Sequence, residues 1–477
     1  MKNRTATTLS LVTAILLLNA CGSVDNSSLV DKNSSSSTRV QRDNKIEQCF
    51  VKMDDIAFED CSSKYSDDSK INSCLDGYEE QILDTCMLYD GEEDYNQNDL
   101  VGDNTDMVSD NDWWNWLEEE SAFDDKNETI AESNDTTSIS TATIEDAKAE
   151  PYFKYAWHLN SSNSILNSKG YQIDNHADIN VTDAWAITMG EGVRVAVIDD
   201  GADVTHEDLK ENLLITYNAD TGSKNIQTKD SHGNTCAGFI VAPINGKGIV
   251  GVSPKAKMIS IKLEDSSDAY TIRAFEYAKK HGAKVISCSW GTNDVSDAIV
   301  SELKSIYDSG ITVLFASGNE GASLDNQGVN DESEVEWVIG VGASGENNDI
   351  TSYSNYGKNI DILAPGGDAQ DYIGVLGLDN MGEDGYDDQT GLVNNNYAFT
   401  NGTSFSAPIT AGVVAMMYSV NPNITPKEVK EILTSTATKI GKEMSASYNE
   451  NGFDEKRAYG KINAGLAVAK AKETKRP

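Results

Sequence analysis

From Glu150 onward the chain alternates short apolar runs with helix-length segments, and that alternation leaves few folds open. The runs are Val193–Ile198, Ala256–Leu263, Lys284–Trp290, Ile311–Ser317, Trp337–Gly342 and Asn359–Ala364. Each is short and almost continuously apolar, as expected of strands buried on both faces. Such strands, separated by helix-length stretches, predict a parallel sheet covered by helices. In sheets of this kind ligands sit beyond the carboxyl ends of the strands. Candidate chemistry is therefore sought at strand ends and helix starts.

Three polar motifs fall there. Val195-Ala196-Val197-Ile198 ends in Asp199-Asp200-Gly201, so two carboxylates follow a buried strand. His232-Gly233-Asn234-Thr235-Cys236 opens an apolar stretch. Asn401-Gly402-Thr403-Ser404-Phe405-Ser406-Ala407-Pro408 opens another, which runs to Met417. Taken singly, each is an ordinary turn or helix cap. Together, an Asp, a His and a Ser in these settings are the parts of an acyl-transfer triad.

The three motifs, in this order, resemble the subtilisin-like serine proteases. The resemblance runs from Glu150 to about Lys472. It includes Asp178-Ile179-Asn180-Val181 with Trp185, Ala316-Ser317-Gly318-Asn319, and Tyr459-Gly460-Lys461-Ile462-Asn463-Ala464. It implies a three-layer α/β fold with a mostly parallel central sheet. It also implies a serine endopeptidase acting on protein or peptide substrates. Ser404 would be the nucleophile, His232 the base and Asp199 its orienting acid, with Asp200 the rival acid. Asn319 and the Ser404 N–H would hold the oxyanion.

A finer resemblance points to the kexin and furin branch, through Asp199-Asp200, Cys236 and Ser289-Trp290-Gly291. It implies a preference for Lys or Arg before the scissile bond. Asp200, Ser289, Trp290, Gly291, Asp294, Asn330 and Asp331 would then contact substrate. Asn330 stands where furin has an Asp, and a broad or apolar preference is the alternative. The loop Pro243-Ile244-Asn245-Gly246-Lys247-Gly248-Ile249 resembles the family's calcium loop. That implies structural Ca²⁺ held by Glu150, Asp208, Asn245 and the carbonyls of Pro243, Lys247 and Ile249, a hard-oxygen set. Cys236 and Cys288 are expected as buried thiols. Residues 368–400, rich in Gly, Asp and Asn, read as a surface insertion with no assigned role.

The other part of the chain is different in kind. Residues 22–150 carry 34 acidic against 9 basic side chains, within an overall charge of −39. So acidic a chain is a poor partner for nucleic acid. Ser, Asn and Asp enrichment over 21–45 suits a flexible tether, and 91–149 suits an acidic linker. The linker holds an aromatic island, Trp113-Trp114-Asn115-Trp116. Cys49, Cys61, Cys74 and Cys86 lie between them in 46–90, at nearly symmetric spacing. A small helical hairpin with nested bridges, Cys49–Cys86 and Cys61–Cys74, fits among the three possible pairings. A zinc site is the competing reading. The whole region is expected to be largely disordered around that hairpin.

Residues 1–20 read as an export signal: Lys2 and Arg4 precede an apolar run from Leu9 to Leu18. Leu18-Asn19-Ala20-Cys21 resembles a bacterial lipoprotein cleavage box. Cys21 would then carry an acyl anchor, placing the protein on the outer membrane or cell surface. The peptidase domain is expected over 150–472. The rival reading from another class is a surface-binding lipoprotein that keeps the fold without turnover.

Overall fold

The computed structural model divides the chain into two units, Met1–Thr136 and Thr137–Pro477. It describes residues 141–475, apart from 327–329, 369–372, 383, 387–389 and 442–447. The export signal, the tether with Cys21, the four cysteines from Cys49 to Cys86 and the tryptophan island lie outside the described residues.

Seven strands form one parallel sheet: β1 Arg194–Asp199, β2 Leu213–Asn218, β3 Lys257–Lys262, β4 Val285–Cys288, β5 Thr312–Ala316, β6 Val338–Ser344 and β7 Ile362–Pro365. Their spatial order is β2-β3-β1-β4-β5-β6-β7, and every pair is parallel. The strand order reverses direction at β1, which lies between β3 and β4. Sites in open α/β sheets form at such a reversal.

Both faces of the sheet are covered, which explains the continuous apolar runs. Along β1, Val195 and Val197 face one core while Ala196 and Ile198 face the other. The first core packs under α1 Thr141–Lys148, α2 Val181–Trp185, α3 His232–Val241, α6 Thr403–Val420, α7 Pro426–Thr436 and α8 Ala464–Glu473. The second packs under α4 Asp268–Lys280 and α5 Asp297–Asp308. The helix α6 is apolar all round because nearly every residue from Phe405 to Tyr418 is buried.

Two expectations change. The end of the acidic linker is structured: Thr141–Lys148 is helical, and Ala147 is fully buried against the core. Residues 368–400 are more than a surface insertion. Within them β8 Val375–Leu378 pairs antiparallel with β9 Tyr397–Thr400, and all four residues of β8 are buried. Cys236 and Cys288 are free and buried, as expected.

Candidate active site

The β1 strand delivers Asp199 to its carboxyl end, where the side chain is 5% exposed. From the first residue of α3, His232 presents its Nδ1 to Asp199 Oδ1 at 2.7 Å. Asp199 Oδ1 also accepts the Asp200 N–H at 2.9 Å. Burial works against charge on both partners, but their mutual attraction outweighs it. The His232 pKa is raised and the Asp199 pKa lowered. Asp199, not Asp200, is therefore the acid that faces the imidazole.

One carboxylate oxygen of Asp200 has another task. Its Oδ1 accepts the Gly233 N–H at 2.7 Å, capping the helix that carries His232. Burial and then the neighbouring Asp199 push its pKa up to about 7.

The second residue of α6 is Ser404, at the positive end of a long helix. Its Oγ donates to the Ser289 carbonyl at 3.1 Å. Phe405, the next residue, packs its ring 5.6 Å from the His232 ring. Cys236, one turn past His232, ties the two helices together. Its sulfur, a His232 ring nitrogen and an Asp199 oxygen all lie within 4.8 Å of one another. The thiol donates to Ser289 Oγ at 3.3 Å and lies 3.5 Å from Ser404 O. Burial holds that thiol well above its ordinary pKa, so it stays protonated.

Pro408 explains this arrangement. Having no N–H, it cannot bond the carbonyl four residues back, which belongs to Ser404. Ser289 Oγ donates to that carbonyl instead, at 2.6 Å. The hydroxyl and the carbonyl of Ser289 thus both bond the Ser404 segment.

After β5 the chain turns through Gly318, at φ +96°, to Asn319. Asn319 Oδ1 accepts from Thr403 N at 2.9 Å and Thr403 Oγ1 at 3.0 Å. A backbone N–H can only donate, so this bond fixes the amide orientation and leaves Nδ2 as the free donor. The first turn of α6 also leaves the Ser404 N–H without an intrahelical acceptor. Two donors therefore flank the nucleophile.

The residue after Asn319, Glu320, lines a cavity of about 160 Å³ together with Asn293, Asn330, Asp331, Glu334 and Asn355. Three carboxylates thus face one small space. The Asp331 carboxylate sits under Gly291: a Cβ on that glycine would lie 2.4 Å from Asp331 Oδ2. Asp331 Oδ1 accepts from Ser333 N and Oγ, at 2.9 and 2.5 Å, and burial raises its pKa. Asn330 Nδ2 donates to Asn293 O at 2.6 Å.

Two expected contacts are corrected. Asp294 is exposed and does not line that cavity; just before it, Thr292 bonds Glu332 through its N–H and Oγ1. Trp290 is half-buried; it donates Nε1 to Ile198 O at 2.9 Å and packs on Phe315 at the edge of the second core. Glu320 and Glu334 were not anticipated; only an acidic side chain next to Asn319 hinted at the first.

On the far side of α3, Glu150, Asp208 and the Pro243–Ile249 loop converge. Glu150 Oε1 accepts from Asn245 N at 2.7 Å and Gly246 N at 2.8 Å. Asp208 Oδ2 accepts from Ile249 N at 2.8 Å and Tyr397 OH at 3.3 Å. The other oxygens, Glu150 Oε2 and Asp208 Oδ1, are buried without a partner. Burial, reinforced by Glu150, lifts the Asp208 pKa to about 7. Among the described residues the carbonyls of Pro243, Lys247 and Ile249 accept no hydrogen bond. Orphaned hard oxygens of this kind fit Ca²⁺.

A parallel sheet with Asp at the end of its first strand, His opening one helix and Ser opening another defines the subtilisin-like class. The chain belongs to the Subtilase family, whose profile matches residues 190–461. It is 32% identical over 367 residues to a calcium-dependent protease of Nostoc sp., covering 68% of this chain and 52% of that one. It is 32% identical over 256 residues to subtilisin E of Bacillus subtilis, covering 53% of this chain and 62% of that one. The chain thus spans between about half and two thirds of the length of these relatives. Among solved structures it is similar to a protease from Pseudoalteromonas arctica, with TM-score 0.56 and 25% identity, covering 68% of this chain and 99% of that one.

Proposed function

We propose that the protein is a calcium-stabilised serine endopeptidase, exported and anchored by an acyl group on Cys21. The observation that carries the catalytic reading is the Asp199–His232 bond beside a helix-borne Ser404 with two oriented N–H donors. In the resting structure the Ser404 hydroxyl donates to Ser289 O. Rotation about its χ1 brings it toward the free His232 Nε2. That nitrogen takes the proton as Oγ attacks the peptide carbon, and Asp199 stabilises the imidazolium. The carbonyl oxygen becomes an oxyanion held by Asn319 Nδ2 and Ser404 N–H. His232 then hands its proton to the departing amine. Water, deprotonated by the same ring, releases the acid from Ser404.

The side chain before the scissile bond enters the cavity that Glu320 lines. Glu320, Asp331 and Glu334 there favour Lys or Arg, because a cation entering the cavity can make charge-assisted bonds with these acids. Calcium would rest on Glu150, Asp208, Asn245 and the three free carbonyls, holding the loop in place. Proteins are the substrates, and nucleic acid is not a partner for so acidic a chain.

The test is a peptide-library digest by the purified full chain. Lys and Arg should dominate before the cut, and Glu320→Gln with Glu334→Gln should reduce that enrichment about tenfold. Equal cleavage after apolar residues would overturn the acidic-pocket reading. No cleavage of any peptide would favour the silent binding lipoprotein. Loss of a lipid-sized mass in Cys21→Ala checks the anchor.

A further inference from the structure

The β8–β9 hairpin touches the loop site and the catalytic helix at once. On β9, Tyr397 is 1% exposed and donates its hydroxyl to Asp208 Oδ2 at 3.3 Å. Its ring stands edge-on to Tyr152 and to His206, at 5.0 and 5.5 Å. The loop is built to admit it: a Cβ on Gly248 would lie 2.1 Å from the Tyr397 hydroxyl. His206 makes a second tie. Its Nδ1 accepts the Asp208 N–H at 3.0 Å, so Nε2 carries the proton and donates to Asn396 O at 3.1 Å.

Across the hairpin, Tyr397 pairs with Leu378 of β8. Leu378 O accepts Thr235 Oγ1 at 2.6 Å, and the next carbonyl, Asp379 O, accepts Asn234 Nδ2 at 3.0 Å. Both donors lie within three residues of His232 on α3. The fit is tight: a Cβ on Gly238 would lie 2.3 Å from the Leu378 side chain. The β9 strand itself ends at Thr400, four residues before Ser404.

We infer that this hairpin is a positioning element, with Tyr397 coupling occupancy of the Asp208 site to the setting of His232. The inference rests on the calcium reading above. A cation on Asp208 Oδ1 fixes the carboxylate whose other oxygen holds Tyr397. Tyr397 fixes the strand whose partner holds Thr235 and Asn234. The path from Asp208 to His232 is contiguous and short.

The experiment uses full-length Ser404→Ala protein, which cannot digest itself, with isotope-labelled histidine rings. The His232 signal is assigned by its loss in His232→Gln. Calcium chloride is titrated into EDTA-stripped protein while heat and ring signals are both recorded. The expected result is heat of binding together with a shift of the His232 signal. Tyr397→Phe keeps the ring packing but loses the hydroxyl; Thr235→Val keeps the shape but loses the hydroxyl's bonds to Leu378 O and Ser231 O. Both should still bind calcium while the His232 shift disappears.

With Ser404 restored, kcat should rise about tenfold on calcium addition in the parent and under about twofold in either variant, with KM little changed. Calcium binding with a His232 shift that survives in either variant overturns the relay. So does binding with no shift in the parent. Absence of binding heat in the parent would instead remove the calcium reading, and the relay with it.

Discussion

Stripping calcium from the folded protein should lower its melting temperature by an amount the structure lets one work out. Among the described residues Glu150 Oε2 and Asp208 Oδ1 are buried with no hydrogen-bond partner, so a bound cation would satisfy both. Free calcium at ~100 times its dissociation constant contributes ~2.7 kcal/mol. The folded unit of about 330 residues unfolds with an entropy of ~0.7 kcal/mol/K, at ~2.1 cal/mol/K per residue. The quotient is a fall of about 4 °C on adding EDTA. Scanning calorimetry of Ser404→Ala protein measures it without self-digestion. Asp208→Asn sharpens the test. The amide oxygen can still accept from Ile249 N and Tyr397 OH, while the NH2 group turns toward the cation position. That variant should fold and ignore calcium. An EDTA shift under about 1 °C in the parent, or a full shift in Asp208→Asn, would refute the reasoning.

Other outcomes follow from the same geometry. Since the base must be neutral and Asp199 raises its pKa, the acid limb of kcat/KM should lie above the ~6.5 of a free imidazole. Asp199→Asn should move that limb downward; a limb at the same pH in both would contradict the assignment. Asn319→Leu should lower kcat by about 10²–10³ with little change in KM. A raised KM with kcat kept would mean that the amide only binds ground-state substrate. Far from the site, burial and then Glu276 push the Glu302 pKa up to about 8. A carboxyl raised on folding contributes stability below its unfolded pKa, which is lost as pH rises through about 8. Glu302→Gln should therefore gain melting temperature over the parent at pH ~9 but not at pH ~4. An equal offset at both would show that the pair does not titrate.

How far the sequence could be read depended on whether the relevant residues are neighbours along the chain. Six of the seven sheet strands were legible because both their faces are buried, so their apolar runs are unbroken. The edge strand β2 escaped notice: it is irregular between Leu213 and Ile215, and Leu214 is 48% exposed. The hairpin escaped too, since Gly377 interrupts β8 and its surroundings are Gly-, Asp- and Asn-rich. Asp199, His232 and Ser404 stood out because each sits at a strand end or helix start. The carboxylates of the cavity did not, because Glu320 and Glu334 meet only when the loop after β5 folds back. The commitment of Ser289 to the Ser404 carbonyl traces to one residue, Pro408, whose missing N–H leaves that carbonyl open.

The most direct measurement is covalent labelling of the purified full chain by a fluorophosphonate, read by peptide mass spectrometry. One adduct should form, on Ser404, and it should be absent from Ser404→Ala and strongly slowed in His232→Ala. A properly folded chain that takes no label, or that takes it equally well without Ser404 or His232, would show that these side chains do not work together as a nucleophile and its base.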